Sequence, residues 1–193
     1  MSEEIVALRK RVVSCTKCDL HKSRKNAVPG YGNIGSEIIF IGEAPGRNED
    51  LQGEPFVGMA GQILSEALAY SGLKRNDVYI TNVVKCRPPN NRQPLKEERD
   101  ACKEHLSREL EIIRPKIICV LGNTAFDSLL GGNLITKNRG KVFKRDGQFY
   151  FVTVHPAAII YNPDLRQVLK DDLKFLAQTL DKIKKGLQIE FSE

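Results

Sequence analysis

Short apolar runs alternate with segments of helical periodicity along most of the chain. Four runs are rich in aliphatic, aromatic and β-branched residues, as expected of buried strands: "EIIFIGE", "DVYITNVV", "KIICVLG" and "QFYFVTVHP". Helices are predicted for "EEIVALRKRVVS", "AGQILSEALAYSGL", "LKEERDACKEHLSRELEII", "NTAFDSLLGG" and "DLRQVLKDDLKFLAQTLDKIKKG". This alternation predicts an α/β fold in which helices cover both faces of a mainly parallel, four-stranded sheet.

Residues that could bind a ligand or take part in a reaction lie at the ends of the predicted strands. The first strand leads into residues 42–50, "GEAPGRNED", and the second ends at Asn82. The third precedes Gly122 and Asn123, the latter a predicted helix N-cap, and the last precedes His155. Because ligands bind beyond the carboxyl ends of parallel strands, we expect these loops to converge on one rim of the sheet.

The composition is that of an ordinary globular protein, with 41% hydrophobic and 28% charged residues. No repeat or linker interrupts the pattern, so residues 1–193 are predicted to form a single domain. No apolar run has the length of a membrane span, and the N-terminal "MSEEIVALRK" lacks the pattern of a secretion signal. We therefore expect a cytoplasmic protein without membrane contact.

The net charge favours a polyanionic partner. The formal charge is +6 and the sequence pI is about 9.1, which would support binding to nucleic acid through phosphate neutralisation. The basic residues crowd three stretches, at 17–25, 85–92 and 137–145. Such runs are more often solvated surfaces, so charge alone does not establish the partner.

Four of the five cysteines form a candidate metal site. Cys119 lies in an apolar strand and is interpreted as a buried structural thiol, which leaves Cys15, Cys18, Cys86 and Cys102. The first two form a C-x2-C knuckle, and four thiolates in a cytoplasmic protein suit either zinc or an iron–sulfur cluster. The spacing alone favours neither metal, and a metal-free chain is a third alternative.

The loop after the first strand is a tight turn with carboxylates. Its "GEAPG" segment matches neither the dinucleotide-binding nor the P-loop pattern, so phosphate binding is not indicated. The turn lets backbone amides approach a planar ligand or a water molecule, while Glu43, Glu49 and Asp50 supply acceptors or proton-transfer groups. The alternative is that these carboxylates are solvated turn residues.

Three further rim residues each allow a structural and a functional interpretation. Phe56 either belongs to the core or stacks on a base. Asn82 either bonds its own turn or reads the donor and acceptor edge of a nucleobase. His155 is either a structural histidine or a donor to negative charge on a leaving group.

The segments "GEAPGRNEDLQGEPFVGMAGQIL", "YITNVVKCRPPNNRQP" and "HPAAIIYNP", with the four cysteines, closely resemble the family-4 uracil-DNA glycosylases. The resemblance extends from about Cys15 to the final helix, and this iron–sulfur class is frequent in thermophiles and archaea. It implies a three-layer α/β/α sandwich and a [4Fe-4S] cluster on Cys15, Cys18, Cys86 and Cys102. It also implies removal of uracil from DNA, which starts base excision repair.

The resemblance assigns a uracil pocket residue by residue. It places uracil against the backbone of Gly42, Glu43 and Ala44 and stacks the base on Phe56. The side chain of Asn82 then donates to O4 and accepts from N3–H, a pattern that cytosine reverses. Such a pocket suits a base that has been flipped out of the duplex.

The resemblance also suggests how thymine is excluded and how the bond breaks. Glu49 matches the position beside C5, where its bulk would exclude the thymine methyl group. His155 would donate to O2 as the N-glycosidic bond breaks. Other branches of the superfamily have an aspartate where this chain has Ala44, so the attacking water would be oriented by Glu43 or by a backbone carbonyl, and we take Glu43 as the hypothesis.

The candidates for DNA contact are Lys85, Arg87, Arg92, Ile160 and Tyr161. The basic residues follow or flank a predicted cluster cysteine, so a bound cluster would hold a phosphate-binding loop in shape. The segment from Ile159 to Tyr161 would wedge into the gap left by the flipped base, while core packing is an equal alternative for the two isoleucines.

Two other functions remain as alternatives. One is a non-catalytic nucleic-acid-binding module that is stabilised by a metal site. Phe56, Asn82 and His155 count against it, because a protein that only binds nucleic acid needs no base pocket. The other is a glycosylase for other deaminated bases, such as hypoxanthine. The expected partner is uracil-containing DNA, a sliding clamp is a further candidate, and the protein is expected to be a monomer.

Overall fold

The computed structural model describes residues 3–192 and shows an α/β fold around a six-stranded sheet. Residues 1, 2 and 193 of the predicted domain lie outside this range. The strands are β1 (Tyr31–Gly32), β2 (Ile38–Gly42), β3 (Tyr79–Asn82), β4 (Ile117–Leu121), β5 (Lys141–Arg145) and β6 (Gln148–Thr153). Their order is β1-β3-β2-β4-β6-β5, with the central four strands parallel and both edge strands antiparallel to their neighbours.

The sequence predicts the central four strands and misses both edges, so the expectation of a four-stranded, mainly parallel sheet is wrong. The sheet is six-stranded and mixed. Strand β1 has only two residues, too few for a hydrophobic pattern. Strand β5, "KVFKR", reads as a basic surface run because most of its side chains are exposed. The available signal was the turn Asp146-Gly147, since an Asp-Gly pair with positive φ at both residues, here 49° and 81°, favours a two-residue hairpin.

All five predicted helices are confirmed, and shorter ones join them. The described α-helices are α1 (Glu3–Val13), α2 (Leu20–Ser23), α3 (Arg47–Gln52), α4 (Met59–Tyr70), α5 (Lys96–Ile113), α6 (Asn123–Leu130), α7 (Ile135–Asn138), α8 (Ala158–Tyr161) and α9 (Leu165–Lys184). Gly122 is the N-cap of α6, which corrects the assignment to Asn123. Asn123 begins the helix, and its Oδ1 accepts a hydrogen bond from the Ile135 amide at 2.8 Å.

Helices cover both faces of the sheet. Successive residues of β2 point to opposite faces, so Ile39 packs in a cluster with residues of α1, α5 and α6, whereas Phe40 packs with residues of α4 and α9. Both side chains are fully buried. Coverage of both faces explains why the central strands read as near-continuous apolar runs. None of the helices within the described range is long and apolar enough to cross a membrane.

The strand register brings the functional loops to one rim. Gly42 at the end of β2 pairs with Asn82 at the end of β3, and Leu121 at the end of β4 pairs with Thr153 at the end of β6. Since these four strands run parallel, the segments that follow them leave the sheet on the same side. The rim predicted from the sequence is therefore present.

Candidate functional site

A cavity of about 480 Å³ lies at this rim. The predicted pocket residues that line it are Glu43, Ala44, Glu49, Phe56, Asn82 and His155. Gly42 lies directly beside them, because a Cβ atom built on it would fall 2.6 Å from both Asn82 Oδ1 and Phe56 Cζ. Only glycine lets the amide and the aromatic ring approach this closely.

Asn82 presents an unsatisfied amide to the cavity. The residue is 2% exposed, and its Oδ1 atom is buried without a hydrogen-bond partner among residues 3–192. Its backbone carbonyl, in contrast, accepts a hydrogen bond from Lys85 Nζ at 2.7 Å. An unpaired buried acceptor destabilises the protein by its uncompensated desolvation. A ligand N–H that donated to Oδ1 would offset that free energy and so bind more tightly.

His155 presents an unsatisfied ring nitrogen to the same cavity. Its Nδ1 accepts a hydrogen bond from the Ala157 amide at 3.1 Å, so the neutral ring carries its proton on Nε2. No described residue pairs with Nε2, which is buried. Burial lowers the pKa of His155 to about 4, an effect that the charge of Glu49 opposes only in part. The imidazole is therefore a neutral donor near pH 7.

Phe56 contributes an aromatic ring to the cavity, and its backbone conformation is strained. Its φ is 54°, and its ring centroid lies 5.6 Å from that of His155. Arg75 Nη2 donates hydrogen bonds to the carbonyls of Pro55, at 3.1 Å, and Phe56, at 2.9 Å. A Cβ atom on Gly61 would lie 1.7 Å from the Phe56 carbonyl oxygen. No sequence pattern points to Arg75, because its contact with Phe56 depends on tertiary packing.

Glu49 ties two loops of the cavity together. Its Oε1 accepts from the amides of Val57, at 3.0 Å, and Gly58, at 2.8 Å, while its Oε2 accepts from the Gly46 amide at 3.1 Å. The turn that precedes α3 is thereby joined to the loop of Phe56. The side chain is 9% exposed and both oxygens are engaged, so its position is fixed.

Glu43 is oriented by Thr124, a residue that no sequence motif singles out. Thr124 Oγ1 donates to Glu43 Oε2 at 2.5 Å, across 81 positions of the chain. Glu43 is half-buried and lines the cavity, and Thr124 lies in the first turn of α6. A threonine at the start of a helix is common, so the sequence offered no reason to single it out.

Asp50 does not take part in the cavity, which corrects its place among the candidate rim carboxylates. Its Oδ1 accepts from the amides of Lys25, at 2.8 Å, and Asn26, at 3.2 Å. The side chain is 6% exposed and is absent from the cavity lining. Its role is to hold the segment before β1 against α3.

Lys85 cannot contact DNA in this structure, so that prediction is wrong. Its side chain is 1% exposed and donates to Glu109 Oε2, Thr81 Oγ1 and the Asn82 carbonyl at 2.7, 2.6 and 2.7 Å. Glu109 Oε1 also accepts from the Gly30 amide at 2.8 Å. A buried ammonium persists because it is paired and fully hydrogen-bonded.

The other predicted DNA contacts lie nearer the surface. Ile160 and Tyr161 line the mouth of the cavity and are 43% and 88% exposed, whereas Ile159 is 2% exposed and belongs to the core. Core packing is thus the correct alternative for Ile159 alone. An exposed tyrosine and isoleucine at a cavity mouth are available to a large ligand.

The two predicted arginines are held by neighbouring side chains. Arg92 lines the cavity mouth and donates two hydrogen bonds to the Glu98 carboxylate, at 2.8 and 2.6 Å. Half-buried Arg87 donates from Nε to Asn91 Oδ1 at 2.7 Å. Both guanidinium groups keep further N–H donors, since each has five.

The four predicted ligand cysteines line one small cavity: Cys15, Cys18, Cys86 and Cys102. The first two lie between α1 and α2, the third follows β3, and the fourth lies on α5. Cys119 is fully buried in β4 and does not line this cavity. Within residues 3–192, no group of three or more His, Cys, Asp or Glu side chains is arranged to hold a single metal ion.

Nitrogen donors surround these sulfur atoms. Arg24 Nη1 donates to Cys86 Sγ at 3.0 Å, and the Lys85 amide donates to Cys102 Sγ at 3.3 Å. Burial raises the pKa of the Cys102 thiol to about 12, so a thiolate there needs positive charge nearby. A donor set of four sulfurs with surrounding N–H groups fits an iron–sulfur cluster.

Comparison with known proteins gives consistent matches. The model of the uracil DNA glycosylase superfamily matches residues 29–184. The chain is 48% identical over 189 residues to a type-4 uracil-DNA glycosylase of Archaeoglobus fulgidus, which covers 93% of this chain and 95% of that protein. It is 46% identical over 176 residues to one of Thermotoga maritima, with 89% and 91% covered. The chain therefore belongs to the uracil DNA glycosylase superfamily and, as its loops and cysteines predicted, to the type-4 family within it.

Proposed function

We propose that this protein is a uracil-DNA glycosylase that hydrolyses the N-glycosidic bond of a flipped uracil and leaves an abasic site. One observation carries the proposal. A buried acceptor, Asn82 Oδ1, and a buried donor, His155 Nε2, both lack partners among the described residues and line one cavity with Phe56. A planar base with an N–H and a carbonyl satisfies both atoms.

Recognition of uracil follows from the amide of Asn82. Uracil donates from N3–H to Oδ1 and accepts at O4 from the amide N–H, whereas cytosine has an acceptor at N3 and a donor at C4. Cytosine would therefore leave the amide unpaired, which costs more than the loss of a solvated hydrogen bond. Phe56 supplies the stacking surface, and Gly42 leaves room for the base.

Exclusion of thymine is assigned to Glu49. Thymine differs from uracil by a methyl group at C5, so discrimination needs a side chain that cannot give way. The Glu49 carboxylate is held by three backbone amides, from Gly46, Val57 and Gly58. Moving it aside would break those hydrogen bonds, so the base with the methyl group is rejected.

Bond cleavage uses the neutral donor and the oriented carboxylate. The oxygen of a water molecule bonds to C1′ as the bond from C1′ to N1 breaks, and the bonding electron pair stays on the departing base. His155 Nε2–H donates to O2, where the negative charge develops. Glu43, oriented by Thr124, positions the water and accepts its proton.

The DNA partner is assigned to the mouth of the cavity. Ile160 and Tyr161 are exposed there, and Arg87 and Arg92 lie on the loop between β3 and α5. We infer that the apolar pair occupies the gap in the stack while the arginines contact phosphates. We also propose that the protein works as a single-domain monomer in the cytoplasm.

The proposed cofactor is a [4Fe-4S] cluster held by Cys15, Cys18, Cys86 and Cys102. A bound cluster would supply a rigid anchor whose iron atoms bind the four thiolates, and hydrolysis requires no redox step. Cys86 follows Asn82 by four positions, and Cys102 lies on α5. The loop that carries Arg87 and Arg92 is thereby pinned at its start and at the helix that follows it.

In the test, the protein is incubated with a labelled oligonucleotide that contains one uracil. Alkali is then added, which breaks the strand wherever the base has been removed. We expect cleavage at uracil and none at thymine, cytosine or hypoxanthine, with loss of activity in Asn82→Ala. The matched control is Asn76→Ala, since Asn76 is exposed and does not line the cavity. Binding without cleavage would favour the nucleic-acid-binding module, and cleavage only at hypoxanthine would favour a glycosylase for other deaminated bases.

A further inference from the structure

His105 is a buried histidine that the proposed reaction does not use. It lies on α5, three residues after Cys102, and is 2% exposed. Neither Nδ1 nor Nε2 has a hydrogen-bond partner within the described part of the chain. Every protonation state of imidazole offers at least one N–H, so a buried donor stands unpaired here. Such a group in a folded protein calls for an explanation in terms of a missing partner.

The surroundings of His105 identify the chemistry of that partner. His105 lines the small cavity that the four candidate cysteines also line. The other lining side chains are apolar or cationic: Val12, Lys17, Arg24, Lys85 and Ala101. The sulfur atoms are therefore the only side-chain acceptors among the residues that line this cavity.

Two neighbouring groups show how donors are used at this site. Arg24 Nη1 and the Lys85 amide each donate to a cysteine sulfur, at 3.0 and 3.3 Å. His105 is a third nitrogen group at the same cavity, and it alone of the three lacks an acceptor. A sulfur-containing cofactor in the cavity would supply one.

We propose that His105 donates an N–H hydrogen bond to a sulfur atom of the [4Fe-4S] cluster or of its thiolate ligands, and thereby raises the reduction potential of the cluster. The inference rests on the proposed cofactor. A donor to sulfur stabilises negative charge, and the cluster carries one more negative charge after it takes up an electron. The same bond stabilises the thiolates and slows loss of the cluster.

The test compares anaerobically purified, full-length protein with His105→Leu, His105→Asn and His105→Gln variants. Iron and sulfide contents are measured first, and the one-electron reduction potential is then measured by voltammetry. We expect Leu to lower the potential by about 59 mV, a tenfold change in the equilibrium constant for reduction. The amide of Asn can replace Nδ1 and that of Gln can replace Nε2, so one of them restores the potential. Ser107→Ala, an exposed and uncharged change on the same helix, should have no effect.

A second measurement needs no variant of His105. The protein is labelled with ¹⁵N-histidine, its cluster is reduced by dithionite, and nitrogen hyperfine coupling is measured by pulsed electron paramagnetic resonance. We expect coupling to a histidine nitrogen that persists in His21→Gln, since His21 Nδ1 already contacts the Cys18 carbonyl at 2.8 Å.

The outcomes separate the inference from the cofactor on which it rests. Purified protein without iron and sulfide would overturn the cofactor and the hydrogen bond together. A full cluster whose potential is the same in the wild type and in His105→Leu would overturn the hydrogen bond and leave the cofactor standing. A full cluster without histidine coupling would do the same, even if His105→Leu failed to fold.

Discussion

Lys85 Nζ lies 2.7 Å from Glu109 Oε2, and both side chains are 1% exposed. The ammonium group also contacts the carbonyl of Asn82, so the pair ties the cavity end of β3 to α5. Helix α5 carries Cys102 as well, which accepts a hydrogen bond from the Lys85 amide. The cavity at the rim of the sheet and the cysteine site therefore share one buried polar network.

We expect Lys85→Met to destabilise the protein by about 3–5 kcal/mol, because Glu109 would remain as a buried, unpaired charge. The double variant Lys85→Met, Glu109→Leu should recover most of that loss. Chemical denaturation measures both free energies of unfolding.

Lys85→Met should also leave the salt dependence of DNA binding unchanged, whereas Arg87→Ala should reduce the slope of log affinity against log salt concentration by about 1. A stable Lys85→Met protein with a reduced slope would show that Lys85 contacts phosphate after all.

Gly42→Ala should block the pocket without unfolding the protein. The added Cβ would lie 2.6 Å from Asn82 Oδ1 and from Phe56 Cζ. We expect kcat/KM for uracil removal to fall at least about 100-fold, or ~2.7 kcal/mol. The control is Gly35→Ala, where the nearest atom lies 3.5 Å from the new Cβ. Near-normal activity of Gly42→Ala would mean that the base lies elsewhere.

Glu43→Gln should reduce single-turnover cleavage by well over tenfold with little change in DNA affinity, because the amide cannot accept the proton of the attacking water. Thr124→Val should reduce the rate less, since it frees the carboxylate without removing it. Thr124→Ser keeps the hydroxyl group and should stay close to the wild type. Equal rates in Glu43→Gln and wild type would remove Glu43 from the mechanism.

His155 should stay neutral well below pH 6.5, because burial lowers its pKa to about 4. The unfolded chain takes up this proton near pH 6.5 and the folded chain only near pH 4. The contribution of His155 to stability is therefore complete above pH 6.5 and declines as the pH falls towards 4.

This titration is measured by ¹⁵N nuclear magnetic resonance of histidine-labelled protein, with the His155 signal assigned by its loss in His155→Gln. We expect the neutral tautomer with the proton on Nε2 from pH 8 to pH 5. A midpoint near 6.5 would contradict the neutral donor.

The sequence predicted the central architecture because its signals are local. A strand buried on both faces must be apolar along its length, so β2, β3, β4 and β6 were visible as runs. A helix that packs on a sheet must repeat its apolar residues every three to four positions, as in α9. Residues at the ends of those strands, such as Asn82 and His155, followed from the order of the elements.

The central strands, the main helices and the residues of the pocket rim could thus be predicted from the sequence, since each depends on neighbours along the chain. Features that depend on distant partners appear only in the folded chain. Strand β5 exists through its pairing with β6, and Lys85 is buried because Glu109 lies 24 positions away in the chain and close in space. Thr124 orients Glu43 across 81 positions. A charge or a hydroxyl group takes its role from the atoms packed against it, and that packing exists only in the folded chain.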